Sequence, residues 1–423
     1  MKKPKEYFHA LKVINENCVG CTACVRVCPT EAIRLRNDQI KIDAHKCIDC
    51  GNCITACNYD ALRPISDNLM VINRFKYRVA VLSYCFAGQF PEYVSYDKVK
   101  ETLSELGFDY VADEAEATES LSLIIKDYIK NNEKKKPILS SNCPAVVRLI
   151  QFRFPSLLNN LLLLESPANV LARYYRNKIS KEKGIPKNQI GVFAIVPCIA
   201  QVTSAYQPEG VNEMFFDGAI SVKDIYNKMM SKLFDEDDGT DASYELGKGH
   251  SWAIPGKEAD IIASDDIKSM AVTGIKNVIK ILSKIENQQI DKFDYVVLKS
   301  CINGCMGGGL NVENPFVGTS RILRHLNSEY RHKLDKDYFF KLYEEGQYDV
   351  QPLEPRSIME LDKDIKQAIS KMKKVNQIVE LLPGINCCAC GSPSCQALAE
   401  DIVQGKATLD DCLVRLKRSK DNK

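Results

Sequence analysis

SCINGCMGGGL, residues 300–310, sets two cysteines four positions apart just before a run of three glycines. It follows YVVL, residues 295–298, an apolar run that predicts a buried strand. The glycines allow the backbone to approach a bulky cofactor closely and to adopt positive φ. The stretch lacks the GxGxxG spacing of dinucleotide loops and the GKS or GKT ending of P-loops. It therefore predicts a thiolate site at the end of a strand.

Two more cysteines stand alone in the middle of the chain. Cys143 lies in SSNCPAVV, residues 140–147, and Cys198 lies in VPCIA, residues 196–200, after the strand-like run GVFAIVP. An isolated cysteine is often a buried thiol that packs as a small hydrophobic side chain. The spacing of these cysteines from the downstream pair suits neither a zinc knuckle nor a ferredoxin loop. The four make sense as one set brought together at strand ends.

The N-terminal part contains a repeat of about thirty residues, CVGCTACVRVCP at 18–29 and CIDCGNCITACN at 47–58. Thiolates at this spacing bind cubane iron-sulfur clusters, and in two-cluster ferredoxins the fourth cysteine of each run ligates the other cluster. A zinc site would use one set of four ligands, so the doubled run argues against zinc. The two predicted ligand sets are Cys18, Cys21, Cys24 and Cys57, and Cys47, Cys50, Cys53 and Cys28.

A third group of cysteines lies in LPGINCCACGSPSCQALAEDIVQGKATLDDC, residues 382–412. The segment resembles the small four-cysteine iron-sulfur domain of several redox proteins, where such positions hold one 4Fe-4S cluster. Cys388 is surplus to that set and is predicted to be a bystander. Apolar positions between residues 355 and 382 recur at helical steps, which predicts an amphipathic helix serving as a packing stripe or as a signalling element. The predicted ligands are Cys387, Cys390, Cys395 and Cys412.

The composition is that of a folded protein: of 423 residues, 45% are hydrophobic and 26% are charged. Formal net charge is +2, from 57 basic and 55 acidic side chains without an arginine-rich stripe, so nucleic acid is not an expected partner. The sequence shows no signal peptide and no long apolar run, which predicts a cytoplasmic protein without membrane contact. Because the cytosol keeps thiols reduced, the 18 cysteines indicate metal binding and not disulfides.

The order of these motifs resembles the FeFe hydrogenases. SSNCP, VPCIAQ and SCINGCMGGG follow a ferredoxin-like front end, and the family signatures have the forms TSCCP, PCxxK and ACxxGCxxGGG. The resemblance implies that Cys143, Cys198, Cys301 and Cys305 hold a 4Fe-4S cluster. It also implies that Cys305 bridges to a diiron subsite carrying CO, cyanide and a bridging dithiolate. The expected reaction interconverts H2 with protons and electrons at this H-cluster.

The resemblance also implies an α/β protein with four segments. Residues 1–77 are expected to form a ferredoxin-like domain with two 4Fe-4S clusters, and residues 78–350 the α/β FeFe hydrogenase catalytic domain. Residues 351–383 are expected to form a helical linker, and residues 384–423 a small α-helical iron-sulfur domain. The expected cofactors are four 4Fe-4S clusters, one of them within the H-cluster, and the diiron subsite.

The sequence departs from the family pattern around the diiron subsite. Asn142 replaces the cysteine that donates protons, and an amide cannot exchange a proton near neutral pH. Gln201 replaces the lysine that pairs with a cyanide. Lys299 stands where methionine is common, and it is expected either to supply the missing cation or to be a surface lysine. Cys85 falls in a stretch corresponding to APS in the family, so it is expected either to line the diiron pocket or to be an ordinary buried thiol.

The usual proton relay also lacks its upstream members. ESLSLIIKDYIK, residues 119–130, does not contain the EE pattern that commonly feeds the relay. Glu258 is a candidate substitute proton carrier. The expected consequence is slow delivery of protons to the site.

These departures are typical of the sensory branch of FeFe hydrogenases, which also carries an extra C-terminal four-cysteine domain. One prediction is therefore a slow hydrogenase that acts as a hydrogen or redox sensor, with a separate signalling protein as its partner. The alternatives are a metabolic hydrogenase that exchanges electrons with ferredoxin, and a hydrogenase-like iron-sulfur protein without the diiron subsite. The other expected partners are H2, protons, a ferredoxin-like or other redox protein, and the hydrogenase maturation enzymes.

Overall fold

The computed structural model describes residues 7–132, 136–233, 245–327, 334–356 and 364–421. The chain divides into two compact units. One unit joins the two ends of the chain, Met1–Pro64 and Pro355–Lys423, and the other is Ile65–Glu354. The N-terminal cysteine repeat and the C-terminal cysteine group therefore belong to the same unit.

Short elements surround the cysteine repeat in the first unit. Strands β1 and β4 pair antiparallel, as do β2 and β3. The turn between β2 and β3 holds Asn37 and Asp38 at φ of 51° and 56°. Two successive residues with positive φ form the tight hairpin turn that asparagine and aspartate tolerate well. The elements are β1 (Leu11–Val13), α1 (Ala23–Val27), β2 (Ile33–Arg36), β3 (Gln39–Ile42), α2 (Asn52–Thr55) and β4 (Leu62–Pro64).

The second unit alternates strands and helices along the chain. Its elements are β5 (Tyr77–Leu82), α3 (Tyr96–Glu105), β6 (Tyr110–Asp113), α4 (Ala115–Asn131), β7 (Ile138–Leu139), α5 (Pro144–Arg153), α6 (Pro167–Lys183), β8 (Ile190–Val196), α7 (Ile199–Tyr206), β9 (Gly218–Ser221), α8 (Val222–Leu233), α9 (Lys257–Ile262), β10 (Ser269–Thr273), α10 (Ile275–Glu286), β11 (Tyr295–Lys299), α11 (Pro315–His325) and α12 (Lys336–Glu344).

Two parallel sheets organise this unit. One has the strand order β6-β5-β8-β9, and the other has the order β10-β11-β7. All residues of β8 and of β11 are buried, as expected for parallel strands covered on both faces. The apolar runs GVFAIV and YVVL were predicted to be buried strands, and both predictions are confirmed.

The C-terminal part of the first unit contains three helices, α13 (Ile365–Leu381), α14 (Cys395–Val403) and α15 (Leu413–Asp421). The helix predicted between 355 and 382 begins only at Ile365, where Asp364 caps it, and residues 357–363 lie outside the described part of the chain. Val375 and Leu382 of its apolar stripe are buried against Leu398 and neighbouring residues. The stripe is thus a packing surface at Val375 and Leu382, whereas Met372 is 44% exposed.

The mixed α/β architecture predicted from the sequence is confirmed, with its ferredoxin-like start and its helical C-terminal segment. In the described part of the chain, none of the helices is both long and apolar enough to cross a bilayer.

Candidate metal centre

The four central cysteines come from the carboxyl ends of three parallel strands. Cys143 follows β7, Cys198 follows β8, and Cys301 and Cys305 follow β11. In open α/β structures the carboxyl ends of strands form the crevice in which ligands bind. The four thiols line one small cavity, which we call the cage. The structure therefore brings together the four cysteines that the sequence singled out.

Two of the cage cysteines occupy helix N-termini. Cys143 is the N-cap of α5, with Pro144 in the first turn, and Cys198 is the N-cap of α7. The partial positive charge at a helix N-terminus stabilises a thiolate there. The helices thus favour the anionic form that binds iron.

Glycines bring the loops of the cage together. Gly304 has a φ of +57°, as the sequence predicted, whereas the three glycines at 307–309 do not have positive φ. A Cβ atom at Gly308 would lie 2.4 Å from the carbonyl oxygen of Pro197, so the backbone approaches the neighbouring loop closely. The amide of Leu310 donates to that same carbonyl at 2.8 Å. These contacts fix Cys305 relative to Cys198.

Two thiols of the cage, those of Cys198 and Cys305, are buried and resist ionisation. Burial, with a contribution from the Cys305 thiol, raises the pKa of Cys198 to about 12. Burial also raises the pKa of Cys305, although Lys299 opposes the change. Thiolate ligands bound to iron are neutralised by the metal charge. The four thiols, their convergence on one cavity, and the need of the buried thiolates for a metal charge all fit a 4Fe-4S cluster.

Lys299 and Glu258 form a buried ion pair beside the cage. Their charged atoms, Nζ and Oε2, are 2.8 Å apart, and their side chains are 6% and 2% exposed. Burial alone would lower the pKa of Lys299, but the Glu258 carboxylate outweighs it and raises that pKa above its ordinary value. The surface-lysine interpretation of Lys299 is therefore wrong. Lys299 is a buried cation that lines the cage.

Three further side chains extend this ion pair into a network. Asn142 Nδ2 donates to Glu258 Oε1 at 2.9 Å, and the Tyr295 hydroxyl donates to the same oxygen at 3.2 Å. Lys299 Nζ donates to the Tyr84 hydroxyl at 3.4 Å. Tyr84 in turn lies 3.2 Å from the sulfur of Cys305. A continuous chain of polar atoms thus runs from Glu258 to a cage cysteine.

Gln201 and Cys85, the remaining predicted residues, lie at different positions relative to the cage. Gln201, on α7, lines the cage, and its Oε1 is a buried atom with no hydrogen-bond partner among the described residues. Cys85 is fully buried, and its sulfur contacts the side chains of Ser83 at 3.5 Å and Asn311 at 3.8 Å. Asn311 also donates to the backbone carbonyl of Cys305 at 2.9 Å. Cys85 therefore packs behind the loop that carries Cys305.

A larger cavity adjoins the cage. Tyr84, Asn142 and Gln201 line it, together with Glu114. Burial raises the pKa of Glu114 to about 7. Glu114 is thus a carboxyl group beside this cavity, and it precedes residues 119–130, the stretch that lacks the EE pattern.

Sequence reasoning missed both Glu114 and Tyr84, although a signal for them was present. Glu114 directly follows β6, and Tyr84 lies two residues beyond the end of β5. Both strands are parallel members of the sheet that carries Cys198. The rule that placed the cysteines at strand ends applies equally to these two side chains.

The N-terminal cysteines gather into the two predicted sets. Cys18, Cys21, Cys24 and Cys57 line one cavity. Cys28, from the first run, lies within electrostatic range of Cys50 and Cys53 of the second run. Burial, with smaller contributions from the Cys28 thiol and the Asp49 carboxylate, raises the pKa of Cys50 to about 12. The crossing of the fourth cysteine of each run is thus present in the fold, and both sets fit 4Fe-4S clusters.

The C-terminal cysteines converge as well. Cys387, Cys390, Cys395 and Cys412 line one cavity, which fits a further cluster. Cys388 has a φ of +61° and is 3% exposed, and it packs in a core with Val25 and Ile33. Its thiol is within hydrogen-bond distance of the Pro393 carbonyl at 3.3 Å. Cys388 thus serves the packing between the C-terminal segment and the N-terminal repeat.

Replacing Glu114 by glutamine should stabilise the protein at alkaline pH. Free glutamate has a pKa of about 4.3, and Glu114 in the fold has one of about 7. Folding therefore takes up a proton between about pH 4.3 and pH 7. The contribution of the carboxyl group to the free energy of unfolding thus falls as pH rises through this range and stays low above about pH 7. We expect Glu114→Gln to gain on the order of 1 kcal/mol at pH 8 and little at pH 4. Thermal unfolding of both proteins across this range checks the difference, and a gain that does not change with pH would contradict it.

Family models match three regions of the chain. "Iron only hydrogenase large subunit, C-terminal domain" matches residues 76–244, and "4Fe-4S dicluster domain" matches residues 12–61. An Fe-S cluster family matches residues 382–414. The hydrogenase match includes Cys143 and Cys198 of the cage and ends before Cys301 and Cys305, and the other two matches cover the cysteine repeat and the C-terminal cysteines.

Curated relatives cover parts of the chain. "NADP-reducing hydrogenase subunit HndD" of Solidesulfovibrio fructosivorans is 24% identical over 201 residues, 45% of this chain and 31% of the relative. "Cytosolic Fe-S cluster assembly factor nar1" of Emericella nidulans is 29% identical over 108 residues, 24% of this chain and 18% of the relative. The chain thus spans about a third or less of the length of these relatives.

Solved structures resemble the fold over most of the chain. A variant of FeFe-hydrogenase HydA1 from Chlamydomonas reinhardtii aligns with a TM-score of 0.52 and 14% identity, covering 69% of this chain and 98% of that one. HydA(deltaEFG), a structure that concerns stepwise assembly of the FeFe-hydrogenase H-cluster, aligns with a TM-score of 0.51 and with the same identity and coverage. The chain therefore has a fold similar to that of the FeFe hydrogenases, and it combines a ferredoxin-like 4Fe-4S segment, a hydrogenase-like α/β unit and a C-terminal segment with an iron-sulfur motif.

Proposed function

We propose that this protein interconverts H2 with protons and electrons at an H-cluster held in the cage. The observation that carries the proposal is the buried ion pair of Lys299 and Glu258, which is linked through Tyr84 to Cys305. Burying two charges costs several kcal/mol unless they stabilise each other or a ligand. A cluster that only passes electrons needs no proton-exchanging groups beside it, whereas hydrogen chemistry does.

The residues around the cage suit an anionic diiron subsite. Cys143, Cys198, Cys301 and Cys305 would hold the 4Fe-4S part, with Cys305 shared between the two parts. When bound, the subsite supplies the open coordination position at which hydrogen is split or formed. Lys299 is a cation that lines the cage. Gln201 also lines the cage, and the oxygen of its side-chain amide has no partner among the described residues. Because amide orientations are interchangeable, rotation would present the Gln201 Nε2 donor to an anion.

Protons are proposed to move through Glu258, Lys299 and Tyr84. In the direction of hydrogen production, the Tyr84 hydroxyl gives its proton toward the site and takes one from the Lys299 ammonium. The Glu258 carboxylate takes up one proton from solvent and passes it to Lys299, so one proton has moved from solvent to the site and all three groups are unchanged. Asn142 holds the Glu258 carboxylate at 2.9 Å and carries no proton itself.

A second candidate function rests on the curated relatives. Relatives named as cytosolic Fe-S cluster assembly factors match the chain as well. In this alternative the protein is a hydrogenase-like iron-sulfur protein, and its cage holds a 4Fe-4S cluster alone.

The electron partner of the proposed hydrogenase is a ferredoxin-like or other redox protein that meets the cluster-bearing segments. The diiron subsite would have to be installed by the hydrogenase maturation enzymes. The cytoplasmic location, the sensory role and the separate signalling protein stay predictions of the sequence.

Hydrogen activity after maturation tests the proposal. We expect the protein matured with a diiron subsite to catalyse exchange between H2 and deuterium oxide, and Cys305→Ser to lose that exchange. Exchange at the same level in both proteins would assign the activity to something other than the cage. Absence of exchange from a protein shown to carry the subsite would favour the second candidate.

The iron content distinguishes a cage that holds a diiron subsite from a cage that holds a 4Fe-4S cluster alone, independently of activity. Four 4Fe-4S clusters account for about 16 irons, and the diiron subsite brings the count to about 18. We expect about 18 irons per chain after maturation and about 16 after reconstitution with iron and sulfide. Saturation near 8 would contradict the assignment of clusters to the cage and to the C-terminal cysteines.

A further inference from the structure

The C-terminal cysteine loop lies directly against strand β2 of the cysteine repeat. The amide of Leu35 donates to the carbonyl oxygen of Gly391 at 2.9 Å, and Arg36 donates to the carbonyl oxygen of Cys390 at 2.7 Å. Cys390 is one of the four thiols of the C-terminal cavity. The strand thus contacts the backbone of a cluster ligand.

Buried charges hold this contact in place. Arg34 Nε and Arg36 both donate to Asp401 Oδ2, at 2.7 and 2.8 Å, and Arg36 also donates to Ser392 Oγ at 2.5 Å. Asp401 is 8% exposed in its side chain, and each arginine is 16% exposed. Paired arginines on one buried carboxylate form a strong and directional contact. The position of the C-terminal loop on β2 is therefore well defined.

Leu35 touches the other cluster site at the same time. Its side chain lines the cavity formed by Cys18, Cys21, Cys24 and Cys57. The route from Cys390 to the other cavity runs through the backbone of Gly391, its hydrogen bond with the Leu35 amide, and the Leu35 side chain. Cys388, which lines the C-terminal cavity, belongs to the same core cluster as Val25, which lines the other cavity.

We propose that the C-terminal cluster is an electron relay joined directly to the cluster ligated by Cys18, Cys21, Cys24 and Cys57, through the hydrogen bond between Gly391 and Leu35. In each transfer one electron leaves the reduced C-terminal cluster, which becomes oxidised, and reduces the neighbouring cluster, and no proton moves. This relay depends on the two clusters and not on hydrogen activity. It adds a route for electrons to the proposed function.

The proposal gives Arg36 a second role. A cation beside a cluster stabilises its reduced, more negative state, and hydrogen bonds near the ligands act in the same direction. Removing the Arg36 charge should therefore lower the reduction potential of the C-terminal cluster and weaken its contact with β2. A purely structural arginine would change stability without moving that potential.

Magnetic coupling between reduced clusters tests the relay in the full-length reconstituted protein. Cys412→Ser removes one ligand of the C-terminal cluster and provides the reference. We expect the difference between the electron paramagnetic resonance spectra of the reduced wild type and of reduced Cys412→Ser to be a split signal. A simple unsplit cubane signal in that difference would overturn the proposal, because the third cluster would then be isolated.

A glycine pair in the same segment tests the path itself. Gly391 has a φ of +74°, and a Cβ there would lie 2.1 Å from the Leu35 carbonyl oxygen, whereas Gly405 has a φ of +69° and nothing within 4 Å. Alanine strains the backbone at both positions but pushes the loop from β2 only at the first. We expect Gly391→Ala to lose the splitting and Gly405→Ala to keep it, at equal iron content. If Gly391→Ala loses iron, Arg36→Gln is used as the test variant in its place. An unchanged split signal and an unchanged reduction potential of the C-terminal cluster in Arg36→Gln would overturn the proposed path.

Discussion

Glu258→Gln should lower the hydrogen turnover of the matured protein by about 10²-fold or more, because a positioned acid-base group typically contributes 10² to 10⁴. Glutamine keeps the shape of glutamate and still accepts from Asn142, but it cannot carry a proton. It also leaves the Lys299 ammonium buried without its counter-charge. Breaking a buried pair in this way costs about 3 to 5 kcal/mol, so the protein should become less stable too.

Two controls separate the loss of turnover from the loss of stability. Asp260→Asn changes an exposed carboxylate on the same helix, α9, and should leave both quantities unchanged. Combining Glu258→Gln with Lys299→Met removes both charges and should recover stability but not turnover. If Glu258→Gln turns over within threefold of the wild type while retaining its diiron subsite, protons reach the cage by another route.

Asn142→Cys should raise turnover on the order of tenfold, since it places a group that can exchange protons where the family has its donor. The structure strengthens this expectation, because Asn142 Nδ2 is 2.9 Å from Glu258 Oε1. A thiol at this position would have a carboxylate beside it that can take up a proton and pass it to the thiol. The ligand Cys143 is untouched, so iron content should not change.

Asn142→Ala is the matched control for this gain. It removes the amide without adding an acidic group, and it should therefore show no increase in turnover. Rates of hydrogen production and oxidation should be measured for the three proteins at several pH values. Equal rates for the wild type and Asn142→Cys at every pH would show that position 142 does not limit turnover.

The elements that carry the cage could be predicted because their signals are local. A buried parallel strand is a short apolar run, and a cysteine just beyond it is placed by the strand itself, as with Cys198 after β8. The cluster sets of the N-terminal repeat follow from spacing alone. Four cysteines scattered over more than 160 residues could be grouped because several such strand ends meet in one crevice.

The surroundings of the cage could not be predicted to the same degree. Glu258 lies 116 residues from Asn142, and no spacing pattern marks the pair. The sequence is consistent with both a surface and a cage position for Lys299, because a lysine at the end of a strand can occupy either and its partner Glu258 is distant in the chain. The docking of Gly391 on Leu35 is likewise a contact between distant segments, made by backbone groups that carry no sequence signal.

Infrared spectroscopy of the matured protein tests the central claim, that the cage carries a diiron subsite, most directly. Bound CO and cyanide absorb where protein groups do not, so their bands report the subsite itself and not its activity. We expect CO and cyanide bands in the wild type and their loss in Cys305→Ser. A matured wild type that contains about 16 irons and shows no such bands would contradict the claim, and would leave the protein a hydrogenase-like carrier of 4Fe-4S clusters.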